Sequence, residues 1–205
     1  MYYVNLPELP INVVHSIQIQ ANVMALDENS YSGREYNKDK NFAYTEIEEF
    51  LYSKLVSDLL LPKLKKPTTS YIFVLRNKQN IPADFPPHLD LYRKLSLNYI
   101  IETGGSNVQT SFYDLERPKD DKEFKTKNIP YEDLIKTQKY VLSKNKWNLS
   151  NTQVCHSVEN LNDLRIILFV VFDDNTDYET FTKDYTELLT EVPNLLTVFN
   201  SNKFI

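Results

Sequence analysis

The spacing of apolar positions changes near residue 70, and this change predicts two differently built parts of the chain. From that point onward the apolar residues fall in short runs separated by turn signals, which is the pattern of β-strands. The last run, LRIILFVVF, is apolar on both faces, as expected for a strand buried inside a sandwich. The predicted strands are 70–77, 94–102, 107–115, 151–158 and 164–172.

Upstream of residue 70 the pattern first predicts a strand and then a loop. In the run INVVHSIQIQ (11–20), Ile17 and Ile19 alternate with glutamines, and such alternation favours a strand. Residues 26–44 are polar and rich in turn-forming side chains, so we expect a loop there.

A helix is predicted at 45–64, TEIEEFLYSKLVSDLLLPKL. Thr45 and Glu48 have the spacing of a capping box, acidic residues fill the first turn, and Pro62 ends the run. Because the apolar positions fall on one stripe, the helix is expected to cover a flat surface. Short strands with a covering helix predict a mainly β fold, a sandwich or barrel backed by helices.

The remaining segments predict an insertion and a C-terminal helix within one domain. Residues 116–150 are polar and lysine-rich, with a helical candidate at 131–143. The length of 205 residues fits a single domain with a sizeable core. The expected parts of this domain, 1–205, are an N-terminal helical support at 1–69, core strands at about 70–172, the insertion at 116–150 and a C-terminal helix at 176–205.

Composition and charge indicate a globular protein of a reducing compartment. Apolar residues make up 41% and charged residues 25% of the chain, the usual globular balance. The net charge of −5 argues against a nucleic-acid partner, which normally needs a basic surface. The single cysteine, Cys155, cannot form an internal disulfide. The sequence shows neither a signal-peptide pattern nor an apolar run that could cross a bilayer, so the expected location is the cytoplasm, without a membrane partner.

Candidate chemistry begins at the stretch DFPPHLDLYR, which contains one of only three histidines. In an extended segment, side chains two residues apart point to the same side, so His88 and Asp90 can aim an imidazole and a carboxylate at one point. Pro86 and Pro87 favour that extended conformation. A short motif of this kind is also compatible with an ordinary surface dipeptide.

A second histidine and an arginine strengthen the hypothesis of a metal site. His156 lies on a separate strand-like run, and Arg165 follows nine residues later at the start of the most apolar run. Two histidines and one carboxylate are the ligand set of the facial triad that holds non-haem Fe(II). An arginine at the head of an apolar strand is costly unless it meets an anion, such as a dicarboxylate.

Each of these residues also has an ordinary structural interpretation. His156 is compatible with a hydrogen-bonded core histidine, and Arg165 is compatible with a rim arginine paired to Asp163 or Glu159. The occurrence of all the candidates together, in this order and on separate strand-like runs, favours the functional interpretation.

The motifs PPHLD, LNYII, VQTSFYDL, WNLSNTQVCHSV and LRIILFVVF together resemble the core of the 2-oxoglutarate- and Fe(II)-dependent oxygenases. The resemblance covers roughly 70–172 and is carried by the order His-x-Asp, distal histidine, then arginine about nine residues later. Small members of this superfamily occur in bacteria, in phages and in the prolyl- and aspartyl-hydroxylase branches. The resemblance implies a double-stranded β-helix, or jelly roll, of the cupin-like kind, with helices packed on the larger sheet.

By this resemblance His88, Asp90 and His156 match the catalytic iron ligands, and Arg165 matches the residue that holds the far carboxylate of 2-oxoglutarate. The implied cofactors are Fe(II), 2-oxoglutarate as cosubstrate and O2, with ascorbate as reductant. The implied reaction hydroxylates an amino acid, a peptide or a protein side chain, in the host cytoplasm if the member is encoded by a phage. The chain departs from many relatives at Ile167, where they have a serine or threonine, so the second contact to that carboxylate must come from elsewhere.

Alternation along the run 94–102 offers a candidate for that second contact. Ser96 and Asn98 share one face, and the apolar residues between them share the other. We expect the polar face to look into the barrel, with Asn98 contacting cosubstrate or substrate. In the next run the choice between the faces of Ser111 and Thr110 stays open.

The same alternation rule addresses the remaining candidate side chains. Cys155 falls on the face opposite His156 and is predicted to be a packed thiol. Arg93 is a candidate for orienting Asp90, with a solvated arginine as the alternative. His15 has no motif around it and is predicted to be structural.

Three functional hypotheses follow. The first is an active 2-oxoglutarate oxygenase, with a lid and substrate selectivity expected in 26–44 and 116–150. The second is a non-catalytic jelly-roll protein with a binding or structural role. The third is a cupin-like metalloenzyme that uses no 2-oxoglutarate, and it has no need for a buried cation at Arg165.

Overall fold

The computed structural model describes the greater part of the chain. The described residues are 1–26, 42–46, 53–64, 67–75, 83–90, 93–115, 129–172 and 176–193. Their strands are β1 (Tyr2–Val4), β2 (Phe42–Glu46), β3 (Pro67–Leu75), β4 (Ala83–His88), β5 (Leu95–Thr103), β6 (Gln109–Leu115), β7 (Leu134–Tyr140), β8 (Trp147–Asn151), β9 (Cys155–Leu161), β10 (Arg165–Phe172) and β11 (Leu189–Glu191). Their helical segments are α1 (Ile11–Leu26), a π-helical turn (Val56–Leu60), α2 (Tyr178–Asp184) and 3-10 turns at Tyr131–Asp133 and Thr186–Leu188.

The strands form two antiparallel sheets wound as a jelly roll. The larger sheet has the order β11-β1-β8-β5-β10-β3-β2, and the smaller has the order β4-β9-β6-β7. From β3 to β10 the chain crosses back and forth between the sheets, and the first and last of these eight strands lie side by side. This winding is that of the double-stranded β-helix, so the fold class predicted from the sequence is confirmed.

Helix α1 covers the outer face of the larger sheet, where the sequence pattern had predicted a strand. That prediction for 11–20 was wrong. Ile17 is fully buried whereas Ile19 is 66% exposed, so the two do not share a face as alternation required. The buried positions of α1 have helical spacing and pack on the outward side chains of the sheet. They are Val13, Val14, Ile17, Ala21, Met24 and Ala25.

Of the helix predicted at 45–64, the structure describes a helical second half and a strand at its first two residues, and 47–52 lie outside the described residues. Thr45 and Glu46 lie in β2, where they pair with Ile72 and Tyr71 of β3, so Thr45 does not cap a helix. Helical structure is described from residue 53 to Leu60, while Glu48 lies outside the described residues. Pairing with the edge of the sheet has here overridden the local helix signal.

The helical candidate at 131–143 was also wrong. Tyr131–Asp133 form a 3-10 turn, and Leu134–Tyr140 form β7, which pairs antiparallel with β6. The segment expected as an insertion, 116–150, therefore contributes two jelly-roll strands, β7 and β8. Its first part, 116–128, lies outside the described residues.

The five predicted strand runs correspond to strands β3, β5, β6, β9 and β10, with one adjustment. The run 151–158 contains a turn at 152–154, so the strand with His156 begins at Cys155. The turn signal Gly104-Gly105 is confirmed by φ angles of +88° and +132°, which glycine adopts without strain.

The C-terminal helix prediction at 176–205 is met by a short helix. Asp177 caps α2 by accepting a hydrogen bond from the Thr180 backbone amide. The chain then pairs β11 with β1, and residues 194–205 lie outside the described residues. No helix within the described residues is both long enough and apolar enough to cross a membrane.

Candidate metal centre

Strand pairing brings the two site histidines together. β4 ends at His88, which lies directly opposite His156 of β9 in the smaller sheet. Their ring centroids are 4.4 Å apart. Asp90 follows two residues after His88, and one ligand atom of each of the three residues lies within 4.8 Å of the other two. Spacing had predicted that His88 and Asp90 point to one side, and the facial-triad pattern together with the family resemblance had added His156 as the third member of the group.

Both imidazoles are held in one tautomer by backbone carbonyls. His88 Nδ1 lies 2.9 Å from the carbonyl oxygen of Pro86, and His156 Nδ1 lies 2.9 Å from that of Val154. A carbonyl oxygen only accepts, so each Nδ1 must carry the proton and donate it. Each Nε2 then keeps its lone pair, which is the state required of a metal ligand.

Burial keeps the two imidazoles neutral at physiological pH. It lowers the pKa of His88 to about 4, with a further lowering by the nearby His156 and an opposing effect of Asp90. Burial also lowers the pKa of His156, again opposed by Asp90. No proton has to be removed from either Nε2 before a cation binds at neutral pH.

The carboxylate of Asp90 has its two oxygens in different surroundings. Oδ1 lies 3.8 Å from His88 Nε2, and Oδ2 accepts a hydrogen bond of 2.7 Å from Arg93 Nη2. The Arg93 guanidinium also lies over the ring of Phe169, 4.4 Å from its centroid. Arg93 is therefore the partner of Asp90, and the alternative of a free, solvated arginine was wrong.

Arg165 is a buried residue in the lining of the same pocket. Only 3% of its surface is exposed, and burial lowers its pKa to about 10. Nη1 donates to the carbonyl oxygen of Thr103 at 3.1 Å, whereas the buried Nε has no hydrogen-bond partner among the described residues. Gly104 allows the arginine to pack here, because a Cβ at that position would overlap with the side chains of Leu161 and Arg165.

The structure provides no support for the alternative of a rim ion pair at Arg165. Glu159 binds Lys136 instead, at 2.7 Å. The Asp163 carboxylate accepts the backbone N–H of Leu164, at 2.7 Å. Within the described part of the chain Arg165 makes no ion pair, so its charge has no carboxylate partner there.

The predicted facing of strand β5 is confirmed. Ser96 and Asn98 line the pocket and are buried, and Ser96 Oγ donates to Asn98 Oδ1 at 2.5 Å. Leu97 and Tyr99, which alternate with them, belong to the apolar cluster under α1. The side chain of Asn98 is therefore placed where it was expected, with its role as a contact still a prediction.

Ser96 and Asn98 belong to a polar wall of the pocket, and sequence analysis missed its other two residues. Asn148 and Ser150 of β8 pair with Asn98 and Ser96 across the strands, and both line the pocket. Asn148 Nδ2 donates to the carbonyl oxygen of Asn98 at 3.1 Å. The alternation in WNLSN, in which Trp147 and Leu149 are the apolar residues, predicts that Asn148 and Ser150 share the opposite, polar face.

The open choice on strand β6 is settled by which side chains line the pocket. Thr110 faces the pocket, and the ring of Phe112 lies 5.9 Å from that of His156. Tyr113 points to the other face of the smaller sheet, where its hydroxyl lies 2.9 Å from Ser157 Oγ.

Cys155 also lies on that outer face, as a buried free thiol whose pKa burial raises to about 11, so the prediction of a packed thiol is confirmed. His15 is exposed on α1.

The pocket between the sheets has a cavity volume of about 90 Å³ and opens to solvent. The triad, Arg93 and the polar wall line it together with Arg165, and apolar side chains fill the remaining surface. Ile167 lies on the same wall, which confirms that no hydroxyl is present two residues after Arg165. The apolar lining is formed by Phe73, Leu75, Phe85, Leu142, Val158, Ile167 and Phe169.

The residues of the triad fit a divalent cation of the first transition row. Imidazole nitrogens and one carboxylate oxygen are suitable donors. Ligands bound at about 2.1 Å and at right angles lie about 3 Å apart, so the three ligand atoms, which now lie within 4.8 Å of one another, must move closer together to bind one cation. The buried Arg165 Nε without a partner among the described residues fits a carboxylate ligand in the same pocket.

Comparisons with known proteins add little to this geometry. No protein-family model and no curated protein matches the chain in sequence. Among solved structures, the chain is similar to the α-ketoglutarate-dependent non-haem epimerase SnoN of nogalamycin biosynthesis. This match covers 93% of this chain and 87% of that protein, at 13% identity and a TM-score of 0.45. The match to a cupin-superfamily protein from Desulfitobacterium hafniense covers 83% of this chain and 98% of that protein, at 10% identity and a TM-score of 0.31. The match to a salicylate 1,2-dioxygenase from Pseudoaminobacter salicylatoxidans covers 90% of this chain and 36% of that protein, at 6% identity and a TM-score of 0.36. Because these scores are below 0.5, the fold assignment rests on the strand order of this chain.

Proposed function

We propose that this protein is a non-haem Fe(II)- and 2-oxoglutarate-dependent oxygenase that hydroxylates an amino acid, a peptide or a protein side chain. One observation carries the proposal. His88, Asp90 and His156 converge in a pocket whose lining also includes Arg165, a buried cation with no carboxylate partner within the described residues.

The three converging side chains would hold the metal. Each histidine presents Nε2 because its Nδ1 proton is donated to a backbone carbonyl, and Asp90 presents Oδ1 because Oδ2 is bound to Arg93. Bound Fe(II), together with 2-oxoglutarate and O2, supplies the oxidising chemistry that no protein side chain can perform.

Arg165 would bind the far carboxylate of 2-oxoglutarate. Its guanidinium matches a carboxylate with two parallel hydrogen bonds, and Nε is one of the donors still without a partner among the described residues. Since Ile167 cannot donate, the carboxylate has no hydroxyl contact from that position. Asn98, on the polar wall, would provide an additional contact to cosubstrate or substrate.

The apolar walls would exclude water from the site. Phe85 packs edge-on against His88, with centroids 4.8 Å apart, and Phe73 lies against Phe169 at 5.2 Å. In such a low-dielectric space the charge of Arg165 acts more strongly on an anion than it would in water. The lid and selectivity role expected for 26–44 and 116–150 stays a prediction for 27–41 and 116–128, which lie outside the described residues.

A second candidate function is a cupin-like metalloenzyme that does not use 2-oxoglutarate. The triad alone fits this second function equally well, but a cupin-like metalloenzyme would give the burial of Arg165 no purpose. The non-catalytic jelly-roll hypothesis is less favoured, because it needs neither the imidazole orientation nor the buried cation.

Anaerobic titration tests the proposal. Adding 2-oxoglutarate to the Fe(II)-loaded protein should produce a weak visible charge-transfer band, and the Arg165→Ala variant should need far more cosubstrate to reach it. With ascorbate and air, slow release of succinate should follow. Iron binding without any response to 2-oxoglutarate would favour the cupin-like alternative, and absence of iron binding would reject the proposed oxygenase.

A further inference from the structure

We propose that Arg93 is a positioning residue that fixes Asp90 as a one-oxygen metal ligand, and that the turn Thr152–Val154 holds Asp90, Arg93 and His156 in one geometry. The inference rests on the metal-binding role proposed above for Asp90 and His156. It assigns a task to four residues, Arg93 and the three of the turn, that are not themselves ligands.

The first step concerns the two carboxylate oxygens of Asp90. Arg93 Nη2 donates to Oδ2 at 2.7 Å, so Oδ2 is already bound within the protein. Oδ1 is the oxygen nearer His88 Nε2, at 3.8 Å. A carboxylate held in this way can offer one oxygen to a cation, whereas a free carboxylate can rotate and offer both.

The second step concerns what keeps the guanidinium in place. Its Cζ atom lies over the ring of Phe169, 4.4 Å from the ring centroid. An arginine can stack on a ring and donate in its own plane at the same time, which the compact ammonium group of a lysine cannot copy. The side chain of Arg93 is 27% exposed and that of Asp90 only 14%, so water competes weakly for their hydrogen bond.

The third step concerns the backbone of Arg93. Its carbonyl oxygen accepts two side-chain hydrogen bonds, from Thr152 Oγ1 at 2.6 Å and from Gln153 Nε2 at 2.8 Å. Gln153 Nε2 also donates to the carbonyl oxygen of Asp90 at 3.2 Å, and the Asp90 amide donates to that of Thr152 at 3.2 Å. The turn between β8 and β9 therefore holds both ends of the Asp90–Arg93 segment.

The fourth step connects this turn to the distal histidine. Its last residue, Val154, provides the carbonyl oxygen that accepts the Nδ1 proton of His156 at 2.9 Å. Three consecutive residues thus orient two ligands that come from different parts of the jelly roll. A change in the turn is expected to move Asp90 and His156 together, while His88 keeps its own contact to Pro86.

The experiment uses Co(II) as the probe, because its visible spectrum reports the number and geometry of its ligands, and the measurement does not require the exclusion of air. The dissociation constant and the absorption band are measured for the wild type and for Arg93→Ala, Arg93→Lys, Phe169→Leu and Gln153→Ala. Lys136→Ala is the matched control, since it removes an ion pair of equal length, 2.7 Å, on the other face of the smaller sheet. Thermal unfolding of each metal-free variant is recorded in parallel.

The expected result is that Arg93→Ala binds Co(II) about 10–100-fold more weakly, the usual cost of losing a partner of a metal ligand, and shifts the band. Arg93→Lys should recover part of the affinity but not the wild-type band. Phe169→Leu and Gln153→Ala should each weaken binding by less than Arg93→Ala does. Lys136→Ala should leave both readouts unchanged.

Two outcomes overturn the inference and are distinguishable from each other. If the wild type binds Co(II) and Arg93→Ala binds it within about twofold with the same band, Arg93 does not position Asp90 and the proposed function stands. If the wild type itself binds no Co(II), the metal site fails and this inference fails with it. Should Arg93→Ala unfold, Arg93→Lys decides, because an unaltered band in that variant also overturns the positioning role.

Discussion

The two faces of strand β9 carry buried polar groups that are handled in opposite ways. On the outer face Glu159 accepts hydrogen bonds from Gln109 at 2.6 Å, Lys136 at 2.7 Å and Ser157 at 3.2 Å, and a further one from Tyr113. On the inner face His156 has a backbone partner for Nδ1 only, and its Nε2 faces the other two members of the triad.

The contrast is also present in the pKa values. Burial acts to raise the pKa of Glu159, but the hydrogen bonds from Lys136, Tyr113 and Gln109 outweigh it and lower the pKa to about 2. Burial lowers the pKa of His88 to about 4, and no carboxylate effect reverses it. Glu159 is thus a charge stabilised by the chain itself, whereas the imidazoles are kept neutral with a lone pair to offer. Buried groups satisfied by the chain indicate structure, and buried groups left with capacity indicate a ligand.

The largest expected effect comes from removing a member of the inner face. His88→Ala and His156→Ala should each reduce Fe(II) affinity more than about 100-fold, because even the loss of an outer partner of a ligand costs about 10–100-fold. Anaerobic Fe(II) titration measures this. Glu159→Gln, on the same strand but the opposite face, is the control and should bind Fe(II) normally. Normal binding by both alanine variants would remove the distinction between the faces.

The second prediction concerns Arg165. Arg165→Ala should weaken 2-oxoglutarate binding by about 2–5 kcal/mol, because the carboxylate loses its charged partner in a buried setting. Arg165→Lys should lie between this variant and the wild type, since an ammonium lacks the planar fork. The midpoint of the visible band against 2-oxoglutarate concentration measures both. Unchanged midpoints together with normal iron binding would make Arg165 a structural residue.

The third prediction concerns the stability of the outer face. Glu159→Gln should lower the free energy of unfolding by about 1–3 kcal/mol, because the buried Tyr113 hydroxyl loses a charged acceptor, while the contribution of the 38% exposed Lys136 is screened by water. Urea denaturation of the metal-free protein measures it. His156→Ala should cost less stability than Glu159→Gln, and the reverse order would contradict the structural role of the outer network.

The outer face also predicts a pH dependence. The pKa of Glu159 is about 2 in the folded protein and near its reference value of 4.5 in the unfolded chain. Between these values the unfolded state binds more protons, so the contribution of Glu159 to stability is fully present above pH 4.5 and is lost as the pH falls toward 2. Urea midpoints measured across this window should fall less steeply for Glu159→Gln than for the wild type, and parallel curves would exclude the effect.

The smallest expected effect concerns Asn98. Asn98→Ala removes a neutral hydrogen-bonding group from the polar wall, and such a group contributes about 0.5–1.5 kcal/mol. The loss of 2-oxoglutarate affinity should therefore be smaller than for Arg165→Ala in the same titration. A larger loss for Asn98→Ala would mean that the amide, rather than the guanidinium, is the main contact.

The site was more predictable from the sequence than the elements around it. The two-residue period of a strand fixes which side chains share a face, so the placement of Asn98 in the pocket and of Cys155 opposite His156 followed from alternation. The pairing of Arg93 with Asp90 was identified only as one of two possibilities, because a segment as short as 90–93 shows no hydrophobic period. Asn148 was missed although the same alternation applied.

The errors in the fold have two physical causes. Ile17 and Ile19 alternate over too few residues to distinguish a strand from a helix that is apolar on more than one side. At Thr45 and across 131–143, helical signals were overridden by pairing with the edges of the two sheets, by β2 on β3 and by β7 on β6. Local propensity does not report which sheet edges need a partner.

Diffraction from crystals of the protein loaded anaerobically with Fe(II) and 2-oxoglutarate tests the central claim most directly. The account predicts an anomalous iron peak about 2.0–2.2 Å from His88 Nε2, Asp90 Oδ1 and His156 Nε2. The far carboxylate of 2-oxoglutarate should lie against the guanidinium of Arg165. An iron peak elsewhere, or no peak in a crystal that binds 2-oxoglutarate, would contradict the account.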